Sequence, residues 1–323
     1  MKKIQKRSKL SLAVALVAAA GLALTACASD APAADPSGPA VEDLGTISLG
    51  VVPDATTAPL VVAAEQGLFE KYGLTPELKI FSSGGAANQA LAAGDIDVSA
   101  TGQYAVVNGA AAGTNIDVLA RMSLAGKQVG LIANESIASI DDLAGKKVGV
   151  QEGSTAALYA IILQKATGVE FTLENIGNDQ IIAAFANQQV DAIVTWQPNV
   201  DRSIEAVKGA HILAFSGDDD VMPLVTYLVA NSEFTANTKA VEALVKAVAE
   251  ASEWAAANTD ELISLLAKTF SIDEDAVSGS VNVFEFDFGW DDAAEGFLTD
   301  AAEVVEEQRG TPVDVKSILK VAV

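Results

Sequence analysis

Histidine and cysteine are almost missing from this 323-residue chain: it has one of each, His211 and Cys27. With so little of either, a Ser/His or Cys/His dyad has almost no raw material. No disulfide can close within the chain, and no Cys-based metal site can be assembled. The sequence also lacks a G-x-S-x-G elbow, an H-E-x-x-H zinc motif and a P-loop lysine. Asp and Glu are plentiful, so composition leaves a carboxylate-pair hydrolase open, but no spacing singles out a pair. Basic residues are scarce, 20 against 43 acidic, for a net charge of −23. So few Lys and Arg cannot form the patches that neutralise phosphates, which argues against nucleic acid and anionic lipid as partners. The carboxylates give a solvated, self-repelling surface. They do not bar an anionic ligand, because nearby dipoles set the field of a pocket.

A long membrane-spanning run is also lacking. The longest apolar stretch of the front, "LSLAVALVAAAGLAL" at residues 10–24, has 15 residues, short of the roughly 20 a span needs. It follows the basic "MKKIQKRSK" and precedes "LTAC". A basic segment, a short apolar segment and small residues at a cut site make a secretory signal over residues 1–26. "LTAC" resembles the bacterial lipobox, and that resemblance implies lipidation of Cys27 and tethering outside the cytoplasmic membrane. Removing the five basic residues of the leader leaves 15 basic against 43 acidic, a net −28. Residues 28–45, "ASDAPAADPSGPAVEDLG", are small, polar and Pro-rich and read as a flexible tether after Cys27.

Beyond the tether the chain alternates strands and helices. "TISLGVV", "TPELKIFS", "IDVSATG" and "DVLARMS" read as strands, with helices between them at "PLVVAAEQGLFEKYG", "GGAANQALAAG" and "QYAVVNGAAAG". The pattern restarts at "QVGLIA" and ends with the long apolar strand "MPLVTYLVANSEF". From Thr238 the chain reads as helical, with Val241, Leu244, Val245 and Val248 on one face. This predicts an α/β fold of two lobes with mostly parallel sheets. The expected lobes are residues 46–126 with 228–323, and residues 127–227. Two crossovers, near residues 125–133 and 222–230, form a hinge between them.

In open α/β sheets, ligands sit beyond the carboxyl ends of strands. Those ends are "PDATT", "SSGGAAN", "TGQY", "QEGSTA" and "TWQP". All are polar, four are rich in Ser, Thr or Gly, and three run straight into a helix. A helix N-terminus offers free N–H groups and partial positive charge, so "SSGG" and "GST" are anion-cradle candidates that need no Lys or Arg. Two of the junctions are alike. "ALAAGDIDVSATGQ" aligns with "AFANQQVDAIVTWQ", matching Asp97 to Asp191, Thr101 to Thr195 and Gln103 to Gln197. Trp196, at a strand exit, is placed to wall a cleft between the lobes. Tyr104 and Tyr227 are further candidate walls. Asp218, Asp219 and Asp220 form an acidic cluster that reads as a solvated loop, and His211 reads as structural.

Four phrases, "PLVVAAEQGLFEKYGLTPEL", "GGAANQALAAGDIDV", "IDDLAGKKVGVQEGSTA" and "VDAIVTWQPNV", resemble type II periplasmic-type solute-binding proteins of ABC importers. Within these the likeness is to the nitrate/sulfonate/taurine group. The resemblance implies two lobes that close over a small solute and dock on a permease served by an ATPase. It places Ser82, Ser83, Gly84, Thr101, Gln103, Ser154, Thr155 and Trp196 at the cleft, with Asp54, Thr57 and Gln197 as weaker candidates. The expectation is a monomeric, lipid-anchored receptor with no cofactor, metal or enzymatic activity, holding a sulfonate-, taurine- or nitrate-like anion. A flat neutral solute such as a thiamine pyrimidine precursor is the alternative ligand. An extracellular hydrolase or a sensory lipoprotein is the alternative class.

Overall fold

The computed structural model describes residues 41–218 and 221–323. The leader, Cys27 and most of the tether lie outside the described residues, as do Asp219 and Asp220. Strand β1 (Gly45–Val51) passes through a 3-10 turn at Ala55–Thr57 into helices α1 (Ala58–Glu65) and α2 (Leu68–Lys71). Then come β2 (Leu74–Ile80), α3 (Gly84–Ala93), β3 (Val98–Gly102), α4 (Gln103–Ala111) and β4 (Ile116–Ala125). A second run holds β5 (Val129–Ala133), β6 (Lys147–Val150), α5 (Thr155–Thr167), β7 (Thr172–Asn175), α6 (Ile181–Ala186), β8 (Ala192–Trp196), α7 (Asn199–Ala206) and β9 (His211–Phe215). The chain returns through β10 (Leu224–Asn231) to α8 (Ser232–Thr235), α9 (Thr238–Ala257), α10 (Thr259–Phe270), α11 (Glu274–Val281), α12 (Asp292–Arg309) and α13 (Val315–Ile318).

The strands form two five-stranded sheets, ordered β2-β1-β3-β10-β4 and β7-β6-β8-β5-β9. In each, three parallel strands lie side by side, and the fourth place is taken by an antiparallel strand arriving directly from the other sheet. β10 is buried along its whole length and belongs entirely to the first sheet. The boundary expected between residues 227 and 228 therefore cuts a strand, and the return falls before Leu224. "MPLVTYLVANSEF" is uniformly apolar, so nothing within it marks where one sheet ends.

The duplicated junctions fold alike. Asp97, ahead of β3, accepts from the backbone N and Oγ of Ser48 at 2.8 and 2.7 Å. Asp191, ahead of β8, accepts from the backbone N of Lys147 at 2.9 Å. Each Asp ties the start of one parallel strand to its neighbour, at the middle of β1 and at the start of β6. Their onward Thr residues differ in use: Thr101 stays free for the cleft, whereas Thr195 Oγ1 lies 2.6 Å from Asn178 Oδ1.

The tail is not wholly helical. Arg121 and Leu124 of β4 exchange backbone hydrogen bonds with Gly289 and Glu285, so the stretch before α12 lines the sheet edge. Arg121, 6 % exposed, holds it there through Asp287 at 2.5 Å and Asp291 at 2.7 Å. The alternating "FEFDFGW" carried a two-residue period that a helical reading of the tail passes over. Val241, Leu244, Val245 and Val248 of α9 are buried on the core of the first sheet as their spacing requires. Burial is worth about 1.5–3 kcal/mol per such side chain. α12 packs on α4, and its Leu298 shares a core with Leu158 of α5 beside the second sheet.

Candidate functional site

The carboxyl ends of β1, β2, β3, β6 and β8 open on one cleft of about 170 Å³. Each of the five polar loops read from the sequence contributes to it: Asp54 and Thr56, then Ser82 to Gly85, then Thr101 and Gly102. From the second sheet come Gln151 with Gly153 to Thr155, and Trp196. The loops end there because β-strands that run parallel finish on the same side of the sheet, and the two sheets face each other across the crossovers.

Three helices start at the cleft wall. Ser83 caps α3, its Oγ accepting from the N–H of Ala86 at 3.2 Å. Ser154 caps α5, accepting from Ala157 N at 3.3 Å while its own hydroxyl donates to Gln151 O at 2.6 Å. α4 begins after Gly102 with no side-chain cap. A side-chain cap satisfies only one of the four free N–H groups of a first turn, so the remaining donors of these turns and their positive dipole ends are available to an anion. Gly102 sits where the lobes come close. A Cβ there would stand 3.0 Å from Thr155 Oγ1 across the cleft and 3.0 Å from Leu224.

None of the described lining residues is Lys, Arg or His, and Asp54 is the only carboxylate among them. Its Oδ1 accepts from Thr56 N at 2.8 Å. Burial pushes the Asp54 pKa up, against the lowering effect of the Thr56 hydrogen bonds. Trp196 is half-buried and supplies the aromatic wall.

Five candidate residues are placed elsewhere. Thr57 is fully buried, and its Oγ1 bonds the backbone N and O of Val52 at 3.0 and 3.1 Å, bracing the loop from within. Gln103 clamps the second crossover, its Nε2 donating to Pro223 O at 2.8 Å and its Oε1 accepting from Val225 N at 3.1 Å. Tyr104 donates to Gln308 Oε1 at 2.6 Å and joins α4 to α12. Gln197 turns to Asp201, 3.0 Å from its Nε2. Tyr227 is core, its hydroxyl donating to Ala294 O at 2.7 Å. Asp218 accepts from Phe215 N at 2.7 Å and does not line the cleft. His211 begins β9. The sequence reading passed over Gln128, Val129 and Leu224, which reach the cleft from the crossovers. The two-lobe reading already ran those crossovers between the lobes, which was the signal available.

Residues 41–270 match the NMT1-like family. The chain belongs to that family. It is 30% identical over 225 residues to a Brucella abortus protein named as a candidate binding protein, covering 68% of this chain and 69% of the relative. A Bacillus subtilis protein named as a candidate aliphatic sulfonates-binding protein is 28% identical over 246 residues, covering 73% of each. Among solved structures, the periplasmic aliphatic sulphonate binding protein of Escherichia coli superposes with a TM-score of 0.76 at 19% identity, covering 86% of this chain and 92% of that one. That likeness establishes the two-lobed periplasmic-binding-protein fold. Among the described residues no helix is long and apolar enough to cross a membrane.

Proposed function

We propose that this protein captures a small organic anion, an aliphatic sulfonate or close analogue, between its lobes and delivers it to an ABC permease. The observation that carries the reading is the convergence of the α3, α4 and α5 N-termini, with their Ser, Thr and Gly residues, on a cleft that has no basic side chain among its described lining. A sulfonate offers three oxygens to backbone N–H donors and needs no Lys or Arg. Asp54, Ser82, Ser83, Gly84, Thr101, Ser154, Thr155 and Trp196 are the proposed contacts. Gln103, Thr57, Tyr104 and Gln197 shape the walls behind them. The ligand acts by binding the closed arrangement better than the open one. The receptor binds its solute without turning it over, acts as a monomer, and is held on the extracytoplasmic face of the cell membrane by lipid on Cys27. The relatives' naming as binding proteins supports the solute-capture part of this reading.

A thermal-shift screen of residues 28–323 tests it, with alkanesulfonates, taurine, nitrate, bicarbonate and thiamine-related pyrimidines. A ligand that binds only the folded state raises Tm with its concentration over Kd. A rise with sulfonates supports the reading. A rise with a flat neutral pyrimidine alone would keep the fold and overturn the anion.

A further inference from the structure

The lobes also touch outside the cleft, where α11 meets α7. α11 belongs to the first lobe, its Val277 and Val281 joining the core around β1. α7 belongs to the second, its Val200 packing with Ile132 and Ile193. They meet at Gly279. A Cβ built there would stand 3.4 Å from Asp201 Oδ2 and 3.7 Å from Gln197 Oε1, both of the second lobe. Gln197 is 4 % exposed, and among the described residues its Oε1 has no hydrogen-bond partner. Each side of this contact leads to the cleft. Ser280, next to Gly279, accepts the Ala55 N–H on its Oγ at 3.2 Å and so holds the loop that carries Asp54 and Thr56. Trp196, next to Gln197, is the aromatic wall of the other half. Beside the contact lies a gap of about 640 Å³, walled by Asp201 and Glu205 of α7 and by Asp273, Glu274 and Asp275 at the start of α11. Arg202 is the one cation among its described lining residues, so like charges face each other across the gap and oppose closing.

We propose that Gly279 and Gln197 are positioning residues for solute capture: their contact completes lobe closure and sets how long the solute is held. The proposal rests on the solute-capture part of the reading above and not on the charge of the solute. The closed contact buries an acceptor without a donor and draws carboxylates together, both unfavourable. It therefore forms fully only when a solute between the lobes offsets those costs, and it gives way when the solute must leave. The spacing makes the contact adjustable in both directions. The distances from the missing Cβ of Gly279 leave room for a small side chain. A hydroxyl on that Cβ reaches Gln197 Oε1 or Asp201 Oδ2 and supplies the absent donor. A bulky apolar side chain must push both away and hold the lobes apart.

Two measurements on residues 28–323 test it. The first needs no solute. This stretch has no cysteine, since the single one is Cys27, so Gly279→Cys with Asp201→Cys gives one thiol on each lobe. A short bismaleimide should join them, and faster when ethanesulfonate is present. A pair that never cross-links overturns the proposal whether or not any solute binds. The second is stopped-flow binding of ethanesulfonate. Gly279→Ser should bind about threefold to tenfold more tightly, the worth of one net hydrogen bond. Gly279→Leu should bind at least about tenfold more weakly. Both changes should fall on the release rate, with the association rate kept within about threefold, because the contact forms after the solute has entered. The Tm of the unliganded variants should stay near wild type. Equal release rates in wild type, Gly279→Ser and Gly279→Leu overturn the proposal and leave the anion reading standing. If the thiols cross-link but ethanesulfonate binds none of the proteins, the contact stands and the anion reading falls. A poorly folded Gly279→Leu leaves the Gly279→Ser arm and the cross-link to decide.

Discussion

The two crossovers meet at a pair of glycines that should respond to substitution very differently. Gly217 N donates to Gly126 O at 2.9 Å, joining the segments that link the lobes. A Cβ built on Gly217 would stand 2.4 Å from Gly126 Cα and 2.9 Å from Gly126 O. Both neighbours are backbone, so no side chain can swing aside. Gly217→Ala must push the crossovers apart. The reverse change is mild: a Cβ on Gly126 would meet Gly217 Cα at 3.6 Å, an ordinary contact. For Gly217→Ala, forced separation costs about 1–3 kcal/mol, and the stretched hydrogen bond adds about 1 kcal/mol. The midpoint of urea unfolding should fall accordingly with the slope unchanged, and Tm should drop on the order of 5–10 °C. Gly126→Ala should stay within about 0.5 kcal/mol of wild type. Equal costs for the two, or a neutral Gly217→Ala, would refute the reasoning, because the asymmetry comes only from which Cα–Cβ vector points at the other strand.

Other substitutions separate binding from framework. Trp196→Ala should weaken solute binding about tenfold or more in titration calorimetry, while shifting Tm less than Gln103→Met does. Gln103→Met keeps the bulk of the side chain but leaves Pro223 O and Val225 N without their partner, a loss of about 2–4 kcal/mol that urea unfolding would read. Asp54→Asn should show a pH-dependent gain. Burial raises the folded pKa of Asp54 above its model value of 3.8. Stability from that group is fully present below 3.8 and lost as pH rises through the folded value. The unliganded Asn variant should therefore melt above wild type near neutral pH and lose that advantage toward pH 3.8; a constant difference across the range would show that Asp54 is not desolvated.

Much of the fold was legible because local signals agreed. Ser83 and Ser154 cap α3 and α5, and Gly94 and Gly168 end them with left-handed backbone, which is local chemistry. The α/β alternation, the restart at β5 and the apolar face of α9 followed from periodicity. What stayed hidden was decided at long range. The two crossovers were read, but the antiparallel pairing of β5 with β8 and of β10 with β3 and β4 is set at long range and leaves no mark in a uniformly apolar run. The edge stretch at Glu285 to Gly289 depends on pairing with β4, and on Arg121 finding Asp287 and Asp291 well over a hundred residues away.

At the cleft, the loops were legible and the direction of several side chains was not. A strand end names the place where a ligand can sit, but alternation sends successive side chains to opposite faces, and the turn into a helix rotates each next residue by about 100°. Thr101 and Trp196 therefore face the cleft, while Gln103 and Gln197, matched in the duplicated junction, face away. Their identical letters do different work. Gln103 fixes the second crossover by two backbone hydrogen bonds. Gln197 uses one amide hydrogen on Asp201 and leaves its Oε1 without a partner, while its backbone N–H reaches across to Gln128 O at 2.9 Å in the first crossover. The duplication thus places a Gln behind each half of the cleft, and each is tied to a crossover, one through its side chain and the other through its backbone. A repeated junction makes the two halves of a site alike in outline. The crossovers make them different in detail, since Gln103 is tied to the second crossover by its side chain and Gln197 to the first by its backbone.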